Sequence, residues 1–222
     1  MDGGHKREEA IAVAEPHVVA IPRETFYVRY GKRAMDVALA GSLCIVLLPI
    51  LITIAIAIRL SGRGSVLFTQ TRHGLGQRAF KIYKFRTMTV SEDGTAFKQA
   101  VHNDRRVTSV GAVLRRTSLD ELPQLINVLN GTMSVIGPRP HPTALDAAFV
   151  PLMPDYVGRF AVRPGITGLA QIRGLRGPTE TTGAMAARVA SDIEYASNVT
   201  WVNDIKILLA TARVVFGDRN AF

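Results

Sequence analysis

Asp120 and Glu121 stand side by side in Thr117-Ser-Leu-Asp-Glu-Leu-Pro-Gln-Leu125, within a 222-residue chain whose formal net charge is +9. Ser118 with Glu121 three residues on, ahead of an apolar run, has the pattern of a capping box, and acids in a first turn complement the helix dipole. Pro123 complicates that reading. With Ser118 as cap the proline would occupy the fifth helical position and remove a backbone hydrogen bond. A helix starting at Asp120 instead puts Pro123 among the first-turn positions whose donors have no partner anyway. Both carboxylates then stand at an exposed helix end, where reactive groups reach a ligand, so capping and chemistry can coexist.

The cations available to such a pair lie in stiff or glycine-bounded loops: Lys84 and Arg86 in Lys84-Phe-Arg-Thr87, Arg139 between Pro138 and Pro140, and Arg163 before Pro164-Gly165. Arginine's planar fork matches phosphate oxygens, and flanking prolines lower the entropy lost in holding it still. Familiar phosphate-handling devices are missing. The chain has no G-x-x-x-x-G-K-[ST] motif, Gly74-Leu-Gly76 lacks the third glycine of a dinucleotide loop, and there is no Asp-x-Asp pair.

With 27 Lys and Arg against 18 Asp and Glu and a pI near 10.2, the chain calls for an anionic partner: nucleic acid, anionic lipid or a phosphorylated substrate. Cys44 is the single cysteine, which excludes an intrachain disulfide and a multi-cysteine zinc site and fits a reduced, cytoplasm-facing domain. Residues 1–30 mix charges with Pro16 and Pro22. They read as a loosely ordered tail without a signal-peptide stretch.

No charge interrupts Val37 to Ile58. As one straight helix this run would extend about 33 Å, enough for a hydrocarbon core of about 30 Å. Pro49 sits just past its middle, where it breaks a backbone hydrogen bond. Arg23, Arg29, Lys32 and Arg33 precede the run, and Arg59, Arg63, Arg72 and Arg78 follow it. The positive-inside rule then places both ends in the cytoplasm. Residues 31–60 are therefore expected to form a re-entrant helix-break-helix, with Ser42 helping to satisfy freed backbone groups; a kinked spanning helix is the alternative. Residues 61–222 are expected to form a small, mostly helical α/β or α+β domain. Strands fall at 65–70 and 79–85 and helices at 119–129 and 184–198. An amphipathic helix over 201–216 is suited either to the membrane surface or to the domain core.

Taken together, the motifs resemble the bacterial sugar transferases, the monotopic phosphoglycosyl transferases that act on polyprenyl phosphate. The resemblance runs from about Tyr30 to the C-terminus and rests on Lys32-Arg33-x-x-Asp36, the proline-broken apolar run, Phe68-x-Gln70-x-Arg72-x-Gly74 and Lys84-Phe-Arg-Thr-Met88. It continues through Asp104-x-Arg106-x-Thr108-x-x-Gly111, Leu114-Arg115, Ser118-Leu-Asp-Glu-Leu-Pro-Gln124, Gly137-Pro-Arg-Pro140 and Arg163-Pro-Gly-Ile-Thr-Gly168. It implies a re-entrant helix broken at Pro49 and transfer of a hexose 1-phosphate from a UDP-sugar to undecaprenyl phosphate, with release of UMP. By the same resemblance Asp120 is the nucleophile and Glu121 the Mg²⁺ ligand. Lys84, Arg86, Arg115, Arg139 and Arg163 are the expected phosphate-binding cations, and the site is expected at the cytoplasmic face of the bacterial inner membrane. Gly137 to His141, Arg176-Gly177 and the short N-terminal tail resemble members that start hexose-based exopolysaccharides. Leu169, Arg173 and Val199 depart from the residues often found there.

Two rival functions remain open from the residues alone. One is a membrane-anchored binding module without chemistry, which net charge permits, although no nucleic-acid-binding motif is present. The other is a glycosyltransferase onto the same lipid, which would release UDP instead of UMP.

Overall fold

The computed structural model describes residues 24–89, 104–175 and 181–217. Helix starts earlier than the boundary expected at residue 30, with a π-helical turn over Tyr27–Gly31 leading directly into α1, Lys32–Leu60. Residues 1–23, including Arg23 and most of the expected tail, lie outside the described residues. Pro49 falls inside α1 as a single helical element and does not separate two helices. The expected role of Ser42 changes too. Its hydroxyl donates to the Ala38 carbonyl, whereas a proline at position 49 deprives the carbonyl four residues back, that of Ile45.

The two ends of α1 pack on the same globular body. At the N-terminal end Asp36, 1% exposed, accepts from Ser134 Oγ and from the Val135 amide, both at 2.9 Å. Arg33 donates to the Val128 and Leu129 carbonyls, and Lys32 pairs with Asp204 at 2.8 Å. At the other end Ile54 and Ile58 are buried with Phe85 and Leu114. Between these anchors Ile45, Val46, Leu48 and Ile52 are exposed. Leaving that much apolar surface uncovered is unfavourable in water, by about 25 cal/mol per Å². Tyr27–Leu60 is long and apolar enough to cross a membrane, with a mean hydropathy of 2.8 over an 18-residue window within it.

Two small sheets sit beside the helices, an α+β arrangement. β1 (Leu67–His73) and β2 (Ala79–Phe85) form an antiparallel hairpin from Leu67 opposite Phe85 to His73 opposite Ala79. β2 matches the expected run, and β1 extends beyond its expected end at residue 70. Next come α2 (Ser109–Arg116), a 3-10 turn (Leu119–Glu121), α3 (Gln124–Leu129) and β3 (Ser134–Ile136). After α4 (Thr143–Phe149) and a 3-10 segment (Pro154–Ala161), β4 (Gly165–Thr167) pairs in parallel with β3. α5 (Leu169–Ile172), α6 (Thr182–Ser197) and α7 (Trp201–Gly217) complete the described chain.

The main core gathers Ile82, Leu125, Val128, Met133, Ile136, Tyr195 and Ile207. In α7 the core-facing side carries Ile207 and the fully buried Asp204, while Trp201, Val202, Ile205 and Leu209 are exposed. Asp204 is tolerable there because its carboxylate is satisfied by Tyr27, Lys32 and Tyr195.

Candidate active site

The carboxylate pair occupies a turn where neither expected helix start is realised. α2 ends at Arg116, and Ser118 then adopts left-handed backbone at φ 55°, making no side-chain cap bond. Leu119–Glu121 is a single 3-10 turn. α3 begins only at Gln124, behind Pro123, whose φ of −61° suits a helix entry. The expected helix over 119–129 is therefore split. The missing amide of Pro123 lies at the boundary, and Ser118 spends its backbone on a reversal instead of a cap.

Within this turn the two acids have opposite surroundings. Glu121 accepts from Lys84 Nζ at 2.8 Å and from Arg139 Nη1 at 2.9 Å, and its second Arg139 contact completes a two-pronged ion pair. Burial by itself would raise the Glu121 carboxyl; the charges of Arg139 and Lys84 outweigh it and hold Glu121 well below the usual carboxylate range. Asp120 is half-buried, and among the described residues no hydrogen bond or ion pair reaches its carboxylate. Burial and the neighbouring Glu121 charge raise its pKa against the opposing pull of Lys84, Arg115 and Arg139.

Lys84 is placed by a side chain acting as a strand partner. Asn127 on α3 is fully buried; it accepts from the Tyr83 amide at 2.9 Å and donates to the Lys81 carbonyl at 2.7 Å. Those bonds occupy the free edge of β2 and tie the strand to the helix that follows the dyad.

Arg139 reaches Glu121 from the loop after β3. A Cβ on Gly137 would collide with the Arg163 carbonyl and the Gly165 amide, and one on Gly165 with the Gly137 backbone, so two chains meet here in a way only glycine permits. Two guanidinium groups grip the same loop from behind: Arg159 Nη2 donates to the Arg139 carbonyl at 2.6 Å and Arg72 Nη1 to the Pro140 carbonyl at 2.9 Å. Burial and the proximity of Arg139 push Arg72 down to about 9, and its Nε is buried without a partner.

The remaining expected cations are dispersed. Arg115 lies close enough to act on the Asp120 charge. Arg86 points away, donating to the Gly62 and Arg63 carbonyls in the turn after α1. Arg163 donates to the Gly131 carbonyl at 3.0 Å, beside Arg33 at the C-terminal end of α3. Pro49 lies within the exposed middle of α1. Lys84 and Arg139 therefore meet the dyad directly, whereas Arg86 and Arg163 serve backbone carbonyls elsewhere. Arg72, Asn127 and Arg159 were not expected at the site. Arg72 was visible as a flanking charge and within the Phe68-to-Gly74 motif but without a site role, and nothing in the local sequence marks Asn127 or Arg159. Among the described residues no three His, Cys, Asp or Glu side chains converge as a metal cage.

A family model described as "Bacterial sugar transferase" matches residues 27–218, a span holding every element just described. The chain belongs to the bacterial sugar transferase family. This transferase is 49% identical over 191 residues to the UDP-glucose:undecaprenyl-phosphate glucose-1-phosphate transferase of Caulobacter vibrioides, covering 86% of this chain and 72% of the relative. It is 47% identical over 194 residues to the Escherichia coli protein of the same name, covering 87% of this chain but only 42% of the relative. The exopolysaccharide production protein PSS of Rhizobium leguminosarum bv. phaseoli matches at 48% over 184 residues, 81% of this chain and 92% of that protein.

Proposed function

We propose that this sugar transferase moves a hexose 1-phosphate from a UDP-hexose to undecaprenyl phosphate, releasing UMP, through a covalent phosphosugar on Asp120. The observation that carries the reading is the contrast within the dyad: Asp120 has no hydrogen-bonding or ion-pair partner among the described residues, and Glu121 beside it is clamped by Lys84 and Arg139. The names of the relatives supply the substrate class.

In the first displacement an Asp120 oxygen attacks the phosphorus that bears the sugar. The bond to the uridine-side phosphate breaks, and UMP departs with that electron pair. In the second, a polyprenyl-phosphate oxygen attacks the same phosphorus and Asp120 leaves as a carboxylate. Attack by an anion on a diphosphate meets like-charge repulsion. Arg72, Lys84, Arg115 and Arg139 outnumber Asp120 and Glu121 around the turn, an excess of positive charge that suits the diphosphate.

Mg²⁺ fits the donor set in the mode it commonly uses, one or two carboxylates with the substrate's phosphates supplying the rest. Glu121 would hold it through Oε2, which keeps one lone pair beyond that taken by Arg139, while Oε1 accepts from both Lys84 and Arg139. Bound there, the ion offsets phosphate charge. The chain's own cations and Asp120 do the positioning and the attack.

We place the reaction at the cytoplasmic face of the bacterial inner membrane, as the initiating step of exopolysaccharide synthesis. Anchoring of both ends of α1 on one globular body argues against a spanning helix and favours one that enters a single leaflet, bent at Pro49 without being divided there. Cysteines introduced at Arg29 and Arg63 should both be shielded from an impermeant reagent outside intact cells.

The test of the chemistry is a panel of UDP-hexoses supplied to the full chain in membranes, with undecaprenyl phosphate added and the nucleotide product identified. UMP is expected. UDP would indicate glycosyl transfer, and no nucleotide release would indicate a binding module.

A further inference from the structure

Arg159 is 3% exposed and Asp192 2% exposed, and neither touches the carboxylate dyad. Arg159 donates to Asp192 Oδ2 through Nε at 3.1 Å and Nη2 at 2.8 Å. The same Nη2 donates to the Arg139 carbonyl at 2.6 Å. Its Nη1 meets the Tyr156 hydroxyl at 3.1 Å and the ring of His141, and Tyr156 in turn donates to Asp146, which also accepts from His73. A buried ion pair of this kind is a poor source of net stability, because desolvating both charges offsets most of their attraction. What it supplies here is geometry, and among the described residues the part of it that leads toward the dyad is the bond to the Arg139 backbone.

We propose that the Arg159–Asp192 ion pair is a positioning pair that fixes the backbone of Arg139, and through it the two-pronged grip of Arg139 on Glu121. Arg72 completes the hold from the next carbonyl, that of Pro140. Arg139 enters the site from a loop, and a loop backbone needs external partners to carry a fork-shaped group to better than about 1 Å. Two rigid guanidinium groups on successive carbonyls supply that precision from behind the loop. Asp192 holds the Nε and Nη2 side of the fork, while Asp146 makes a second, longer ion pair at 3.8 Å from Nη1, so Arg159 is fixed between two carboxylates.

The inference rests on Arg139 acting on the substrate diphosphate as proposed above. Arg159→Lys keeps the charge facing Asp192, but a single ammonium cannot span both Asp192 and the Arg139 carbonyl as the fork does. In the full chain, reconstituted with UDP-glucose and undecaprenyl phosphate, Arg159→Lys is expected to lower kcat/KM by about 10- to 100-fold. Arg139→Lys is expected to lose about 100-fold. The double variant should be no worse than Arg139→Lys alone, because both changes break one linkage. A merely structural role would make the losses multiply, and that result, or full activity in Arg159→Lys, overturns the proposal. If Arg159→Lys gives no cooperative melt, Asp192→Asn enters the same cycle. If the wild-type protein releases UMP from no UDP-hexose, the functional reading has failed by itself. The cycle is then measured as affinity for inorganic pyrophosphate, with the same non-additivity required.

Discussion

Glu121 and Asp120 are consecutive in one 3-10 turn, yet one is the most tightly held group of the site and the other is left alone. Glu121 faces β2 and the Gly137–Pro140 loop, where Lys84 and Arg139 converge on it. Asp120 is half-buried beside the same cations without a bond to either. A turn with three residues per revolution sends neighbouring side chains in directions about 120° apart, so one short element can present a fixed anion and a free one. Fixing Glu121 organises the cations; leaving Asp120 free keeps an anion available to react, at the cost of stability.

The largest effect expected from breaking this contrast is Asp120→Asn. It should lower turnover by at least about 10³-fold and abolish sugar attachment to the protein in the presence of UDP-hexose alone. The same change should raise Tm by about 2–4 °C, because it removes a raised, partly desolvated carboxylate that has no partner. Near wild-type turnover in this variant would end the covalent mechanism, and an unchanged Tm would mean that the Asp120 charge is cheaply solvated.

Glu121→Gln should act in the opposite sense on stability, leaving Lys84 and Arg139 facing each other across a neutral amide. A loss of about 2 kcal/mol in denaturant unfolding is expected, together with about a 100-fold lower rate. A variant as stable as the wild type would show that the three-way ion pair is screened by water.

The acids also separate by pH. The Glu121 pKa is depressed in the fold, so its contribution to stability is complete above the unfolded value of about 4.3 and lost as pH falls through the folded one. The Asp120 pKa is raised, so the fold favours its protonated form, and ionising it costs stability as pH rises from the unfolded value of about 3.9 through the folded one. The acid limb of kcat/KM should accordingly lie above the usual aspartate range. A limb at or below pH 4 would place the reacting anion elsewhere.

How much of this was legible in the sequence depends on the range of the interaction. β2 was readable because Ala79–Phe85 alternates against a turn, and the dyad because two adjacent acids in a basic chain are conspicuous. Lys84 and Arg139 were expected at the site as cations held in stiff loops, which holds for Arg139, whereas Lys84 lies on β2 and is held by the strand. The same argument applied to Arg86 and Arg163, which the fold sends to backbone carbonyls; loop stiffness says that a cation is held, and not what holds it. Asn127, Arg72 and Arg159 were hidden because their partners are backbone atoms 46, 68 and 20 residues away in sequence. The continuity of α1 across Pro49 was equally out of reach, since whether a proline divides a helix depends on what packs against its two arms.

The smallest expected effect concerns the two residues that could be mistaken for equivalent caps. Thr108 precedes α2 with extended backbone, and its hydroxyl accepts from the Gly111 amide at 2.9 Å. Ser118 precedes the dyad turn with φ at 55° and caps nothing. Thr108→Ala removes a real acceptor and should cost about 1 kcal/mol. Ser118→Ala keeps a Cβ in the same left-handed region and removes no bond, so its cost should stay within about 0.5 kcal/mol. Denaturant unfolding of both variants under one condition makes the comparison internal. Equal losses would restore the capping box as the reason for Ser118 and Glu121. Unequal losses in the expected order would remove capping from the roles of Glu121 and leave it gathering Lys84 and Arg139 beside Asp120.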